Sequence, residues 1–153
     1  MKKLLVVAAL SLSFSAYAVN NNVTHEFTMN AELANTVIAV KNPDVIADRV
    51  SDSATEAFME LDNSGKYSHE LVAATSSAAE SVELHDTYVK NGRTYMHQVS
   101  SITIKPHSDT DLKNGSFHIM LINTSKPLLS GQSVPITLIF SDGSWIAVSA
   151  KVQ

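Results

Sequence analysis

The chain contains no cysteine. That excludes disulfide frameworks, catalytic thiols and thiolate metal sites, the Cys-ligated blue-copper centre among them. An ordered structure must then rest on a hydrophobic core, and 153 residues are enough to bury one. Glycine and proline are scarce, at five and four residues, too few for a low-complexity linker. No internal repeat is present. There is no Gly-x-Ser-x-Gly, no phosphate-cradling glycine loop and no zinc-protease motif, so the sequence does not suggest an enzyme. Basic charge is in short supply: 11 Lys+Arg face 15 Asp+Glu. An acidic chain without a basic patch is a poor candidate for nucleic-acid binding. With 44% hydrophobic residues, the composition suits one globular domain.

The N-terminus stands apart. Lys2 and Lys3 precede an apolar run, Leu4 to Leu12, and Ala16-Tyr17-Ala18 fits the small-x-small cleavage pattern. Residues 1–18 therefore read as a signal peptide, with cleavage after Ala18 and a single mature domain over residues 19–153. A buried N-terminal strand is the alternative. The run is too short to span a bilayer, so no membrane span is expected after cleavage. Cleavage removes two of the 11 Lys+Arg and none of the 15 Asp+Glu, which takes the net charge from −4 to −6.

Beyond residue 35 the chain is strand-like. The expected strands run over residues 36–40, 45–50, 55–62, 68–75, 81–89, 94–99, 102–105, 116–122, 133–140 and 144–152. Turn signals punctuate them: Asn42-Pro43-Asp44, Asn63-Ser64-Gly65, Asn91-Gly92, Asn114-Gly115, Ser130-Gly131 and Asp142-Gly143. Residues 76–81 read as a loop or a brief helical turn. Short strands alternating with turns imply an all-β antiparallel sandwich or barrel with Greek-key character. No segment after residue 18 keeps a helical period.

Four residues invite a common explanation: His85, Met96, His118 and Met120, spaced His-x10-Met-x21-His-x-Met. Side chains alternate faces along a strand. If Phe117, Ile119 and Leu121 face the core, His118 and Met120 share the other face. If Val82 and Leu84 point inward, Glu83 and His85 point out. Met96 falls with Thr94 and Gln98 on a polar face. All four are thus expected on outer or edge faces, where a methionine gains little as core filling. Thioether sulfur is a soft donor that favours Cu(I), and two imidazoles complete a four-coordinate N2S2 set. Zinc prefers Cys, His or carboxylate and gains little from Met. The alternative is two exposed histidines and two edge methionines that only cover neighbouring surface.

Other residues are weaker candidates. His97 points to the opposite strand face from Met96. His25, His69 and His107 read as surface residues. Met59 reads as core, Met29 falls in an ambiguous segment, and Phe140 and Trp145 are expected to pack beside the Asp142-Gly143 turn.

The spacing is similar to that of the periplasmic copper chaperones of the PCuAC family. Glu83-Leu84-His85-Asp86 resembles the block around that family's first ligand. Gly115-Ser116-Phe117-His118-Ile119-Met120-Leu121 resembles its Gly-x-x-His-x-Met-Leu block. Lys126-Pro127-Leu128 and the stretch from Gly131 to Phe140 resemble the family's segment after that block, and the likeness covers roughly residues 36–152. It implies a cupredoxin-like antiparallel Greek-key β-sandwich in the periplasm that carries one Cu(I) on His85, Met96, His118 and Met120. It also implies a partner, a cytochrome oxidase copper domain or another periplasmic copper acceptor. A monomer is expected. Departures exist: Asp86-Thr87-Tyr88 stands where some members carry a further Met, and His97-Gln98 where members often have Arg-Pro. Val152-Gln153 ends the chain without the His- and Met-rich tail of some members. A copper-buffering or resistance protein and a metal-free exported structural sandwich are the competing readings.

Overall fold

The computed structural model describes residues 32–47 and 54–153. The signal-like segment, its cleavage point, His25 and Met29 lie outside the described residues. One helical turn, α1 (Ala34–Val37), leads into ten strands: β1 (Ile38–Val45), β2 (Ala54–Asn63), β3 (His69–Thr75), β4 (Ala79–Lys90), β5 (Arg93–Gln98), β6 (Ile102–Ile104), β7 (Ser108–Leu112), β8 (His118–Thr124), β9 (Ser133–Phe140) and β10 (Trp145–Val152).

The strands hydrogen-bond in the order β5-β4-β8-β2-β1-β10-β9-β3-β6, with β7 attached to β2. The sheet does not close: β5 and β6 end the path. Apolar residues from both halves of this order meet in one core, among them Leu61, Leu71, Leu84, Ile119, Leu138 and Phe140. Alternation drives this. In β2 every second residue is buried, from Thr55 to Asn63, as a period of two requires of a strand with one face on the core.

The pairings are antiparallel except one: β1 runs parallel to β10, Asp44 opposite Lys151 and Val45 opposite Val152. The structure also differs from expectation at Asn42-Pro43-Asp44. These residues do not end the first strand, which continues to Val45, and residues 48–50 of the second expected strand lie outside the described residues. Asn42, Pro43 and Asp44 form an irregularity inside β1, where the register against β2 shifts between Lys41 and Asp44 and Asn42 takes a φ of 48°. Proline cannot donate to the ladder, so a bulge on a paired strand accommodates it. Residues 77–78 form a tight turn into β4. Strand β7 was not expected: Ser-Asp-Thr-Asp-Leu is poor in strand-forming residues, yet it pairs with Met59–Asn63 of β2 and buries Leu112.

Beside the site the chain turns sharply at Asn91-Gly92, between β4 and β5. Both residues have positive φ, 54° and 71°, the conformation that a two-residue hairpin loop needs and that Asn-Gly supplies. This turn sets the register of β5 on β4.

Candidate metal centre

Three adjacent strands build the site. His85 lies in β4, His118 and Met120 in β8, and Met96 in β5. Their register decides which side chains meet. His85 stands opposite His118 across the β4–β8 ladder, and opposite Gln98 across the β4–β5 ladder. The two imidazole rings lie 5.7 Å apart, centroid to centroid, tilted by 53°. Met120 is two residues from His118 on the same strand face. Met96 stands opposite Thr87, diagonal to His85 on the same face, a separation of about 7–8 Å between Cα atoms that long side chains can cross. Strand parity holds on the inner face: Ile119, Leu121 and Leu84 are buried.

The outer face is another matter. Met96 is half exposed, but His118 is only 1% exposed. The expectation of an outer position therefore fails for His118. Its ring lies beside His85, and its Nδ1 is 2.8 Å from the carbonyl oxygen of Ser116. A carbonyl only accepts, so Nδ1–H donates. The same carbonyl accepts the backbone N–H of Thr87 at 3.2 Å, which ties it to β4.

Carboxylates flank the pair. His85 Nε2 is 2.8 Å from Glu83 Oε2, and an ionised carboxylate accepts, so Nε2–H donates. Glu56 Oε1 stands 4.0 Å from His118 Nε2, too far for a hydrogen bond. Glu83 and Glu56 are the cross-strand neighbours of Met120 on its two sides, in β4 and β2. A methionine between two glutamates is not filling an apolar core. Three ring nitrogens among the described residues are buried without a hydrogen-bond partner: His85 Nδ1 and His118 Nε2 here, and His69 Nε2 elsewhere. Buried polar atoms are ordinarily satisfied, so each such atom calls for an explanation. Among the described residues, no three of His, Cys, Asp and Glu form a group able to hold a metal ion. The soft donors that the register puts on the same strand face as the imidazole pair are the thioethers of Met96 and Met120.

Sequence reasoning had no route to Glu56, whose place follows only from the β2–β8 register. Glu83 was legible by parity with His85.

The remaining candidates separate cleanly. His97 is exposed on the opposite face of β5, edge-on to Tyr88 with ring centroids 5.3 Å apart. His107 is exposed in a turn, and Met59 is core. His69 is not a surface residue. It is 6% exposed, with Nδ1 3.6 Å from Asp142 Oδ2. Trp145 does not pack: it is 60% exposed, whereas Phe140 is buried as expected. Among the described residues no helix is long and apolar enough to cross a membrane.

The family model of LpqE-like putative lipoproteins matches residues 38–152. A putative lipoprotein of Leifsonia xyli subsp. xyli is 42% identical over 100 residues, which cover 65% of this chain and 60% of that protein. The chain thus spans less than two thirds of that relative's length. The solution structure of the Cu(I) form of DR1885 from Deinococcus radiodurans has a TM-score of 0.65 at 31% identity, over 81% of this chain and 83% of that one. The copper-bound PCuAC domain from PmoF2 shares the fold, with a TM-score of 0.65 at 22% identity over 76% of this chain and 92% of that domain. A family model spanning most of the chain, on a fold shared with PCuAC domains, makes this chain a member of the LpqE-like family and a PCuAC-family protein.

Proposed function

We propose that the protein is a periplasmic copper carrier that holds one Cu(I) through His85, Met96, His118 and Met120 and hands it to an acceptor. The observation that carries this reading is the facing imidazole pair. Each ring keeps one buried nitrogen without a partner, on the strand face that also bears both methionines. Such a donor set favours Cu(I) over harder ions. The Cu(I) form of DR1885 and the copper-bound PmoF2 domain support it by likeness.

Export is part of the proposal. The signal-like residues 1–18 and the lipoprotein description of the family and of the Leifsonia relative support it. The acceptor is proposed from the family resemblance: a cytochrome oxidase copper domain, with this protein acting as a monomer. Thiolates are stronger donors to Cu(I) than thioethers, so copper flows downhill from Met and His to such a centre. No catalytic role is proposed, because thioethers favour one oxidation state and hence carriage over turnover.

Titration of the protein with Cu(I) against a competing chelator tests the site. One equivalent should bind in the wild type, and a Met96→Leu/Met120→Leu double variant should bind far more weakly. Equal affinity in the two refutes it. Mixing the loaded protein with an apo, reduced oxidase copper domain then tests delivery. Retention of the copper removes the delivery role and leaves buffering.

A further inference from the structure

We infer that the two histidines present different ring atoms to copper, His85 its Nδ1 and His118 its Nε2, and that Glu83 is the positioning residue that fixes the first of these. The inference rests on the copper reading and specifies how that site is made.

A neutral imidazole has one N–H and one lone pair, and a ring that binds a metal must bind through the lone pair. The hydrogen bond made by one nitrogen decides which atom is left for the metal. Glu83 Oε2 takes the Nε2–H of His85 at 2.8 Å, which leaves Nδ1. The Ser116 carbonyl takes the Nδ1–H of His118 at 2.8 Å, which leaves Nε2. These leftover atoms are two of the three buried side-chain polar atoms without a partner among the described residues, the third being His69 Nε2, away from the paired rings. Nothing in the sequence pattern requires the rings to differ. The local structure does: the partner of His118 is the backbone carbonyl of Ser116, in the turn just before β8, and the partner of His85 is a side chain two residues earlier on its own strand face.

Glu83 is well placed for this work. It sits opposite Met120 in the β4–β8 register, and its carboxylate lies 2.8 Å from the His85 ring. Its side chain is 29% exposed and that of His85 is 15% exposed, so the bond lies partly shielded from competing water. Without it, the His85 ring is free to take the other tautomer, or to turn Nε2 inward and bind by the wrong atom.

Long-range proton–nitrogen NMR of the 15N-labelled apo-protein reads the tautomers directly. His85 should carry its proton on Nε2 and His118 on Nδ1. Addition of Cu(I) should then shift His85 Nδ1 and His118 Nε2. Glu83→Ala should lower Cu(I) affinity by about 10- to 100-fold, the usual effect of removing a residue that orients a metal ligand. Glu83→Gln, whose amide oxygen accepts the same N–H, should recover most of that loss. A His85 protonated on Nδ1 in the apo-protein overturns the inference, and so does a Glu83→Ala variant that folds and binds Cu(I) as the wild type does. If that variant does not fold, the wild-type spectra decide alone. A wild-type protein that takes up no Cu(I) in the titration instead overturns the copper reading itself, and the two failures are told apart by that measurement.

Discussion

His118 and Met96 occupy opposite extremes of the candidate site. His118 is enclosed, at 1% exposure, and its Nδ1–H satisfies a backbone carbonyl. Met96 is 50% exposed on an edge strand. Removing each should therefore have different consequences. Met96→Leu should weaken Cu(I) binding while changing folding stability by no more than about 0.5 kcal/mol, as is usual for exposed positions. His118→Ala should abolish Cu(I) binding and also cost about 1–3 kcal/mol, because it empties a buried site and leaves the Ser116 carbonyl one donor short. Chelator competition and urea unfolding measure the two quantities; a His118→Ala variant as stable as the Met96→Leu variant would count against this placement. Strand parity was enough to set His118 and Met120 apart from Ile119 and Leu121, and His85 apart from Leu84, since alternation is a local property of the chain; that the strands share this face follows from their register. Parity could not show that His118 is buried there, because burial of that face depends on what lies against it. Nor could it find Glu56, which approaches only through the pairing of β2 with β8. His69 escaped for a similar reason: its burial is set by tertiary packing, and its neighbour Asp142 is far away in the sequence.

That carboxylate belongs to the scale of elements. Asp142 lies in the turn between β9 and β10. Its Oδ2 accepts the N–H of Ala34 at 2.7 Å and its Oδ1 the N–H of Ser144 at 2.8 Å. The first contact satisfies an otherwise orphaned donor in the first turn of α1, a turn whose own N-cap, Leu33, offers no side-chain acceptor. One residue thus fastens the entry segment to a hairpin more than a hundred positions away. Burial works against its ionisation, but hydrogen bonds from Ser144 and Ala34 and the neighbouring His69 outweigh burial and hold its carboxyl below the usual value. A carboxylate with a lowered folded-state pKa stabilises the fold above its unfolded value, near 4, and loses that contribution as pH falls through the folded value. Asp142→Ala should accordingly cost about 2 kcal/mol at pH 7, and the difference from wild type should shrink as pH drops below about 4. Urea denaturation across that range checks the sign; a difference that grows on acidification would contradict it. Most strands were legible in the sequence because alternation and Asn-Gly or Asp-Gly turns are local signals. Strand β7 was not. Its polar residues follow no apolar alternation, and only the open edge of β2 beyond Ala57 makes it a strand. The single turn of α1 is equally silent, being too short to show a period.

At the scale of the whole molecule, the four proposed donors meet only once the chain has folded. They lie between residues 85 and 120 on three strands, and β8 reaches β4 only across a chain excursion that includes β5, β6 and β7. In the unfolded chain those donors are dispersed. A ligand that binds the folded state and not the unfolded one stabilises by an amount set by its concentration relative to Kd, about 4 kcal/mol at a thousandfold excess over Kd. For a domain of this size that corresponds to a rise in Tm on the order of 10 °C. Cu(I) should therefore raise the Tm of the wild type by that much. It should leave the Met96→Leu/Met120→Leu variant nearly unmoved, although the apo forms melt within a few degrees of each other, because conservative replacement of Met by Leu costs less than about 1.5 kcal/mol. The comparison separates a folded site from adventitious binding. Any uptake of Cu(I) by scattered histidines and methionines of the unfolded chain lowers the shift below that figure. An equal rise in Tm for both proteins would mean that copper is held elsewhere on the fold. No rise in the wild type, under conditions where titration shows uptake, would mean that the binding residues are as available unfolded as folded, and that the three-strand arrangement contributes nothing to holding the metal.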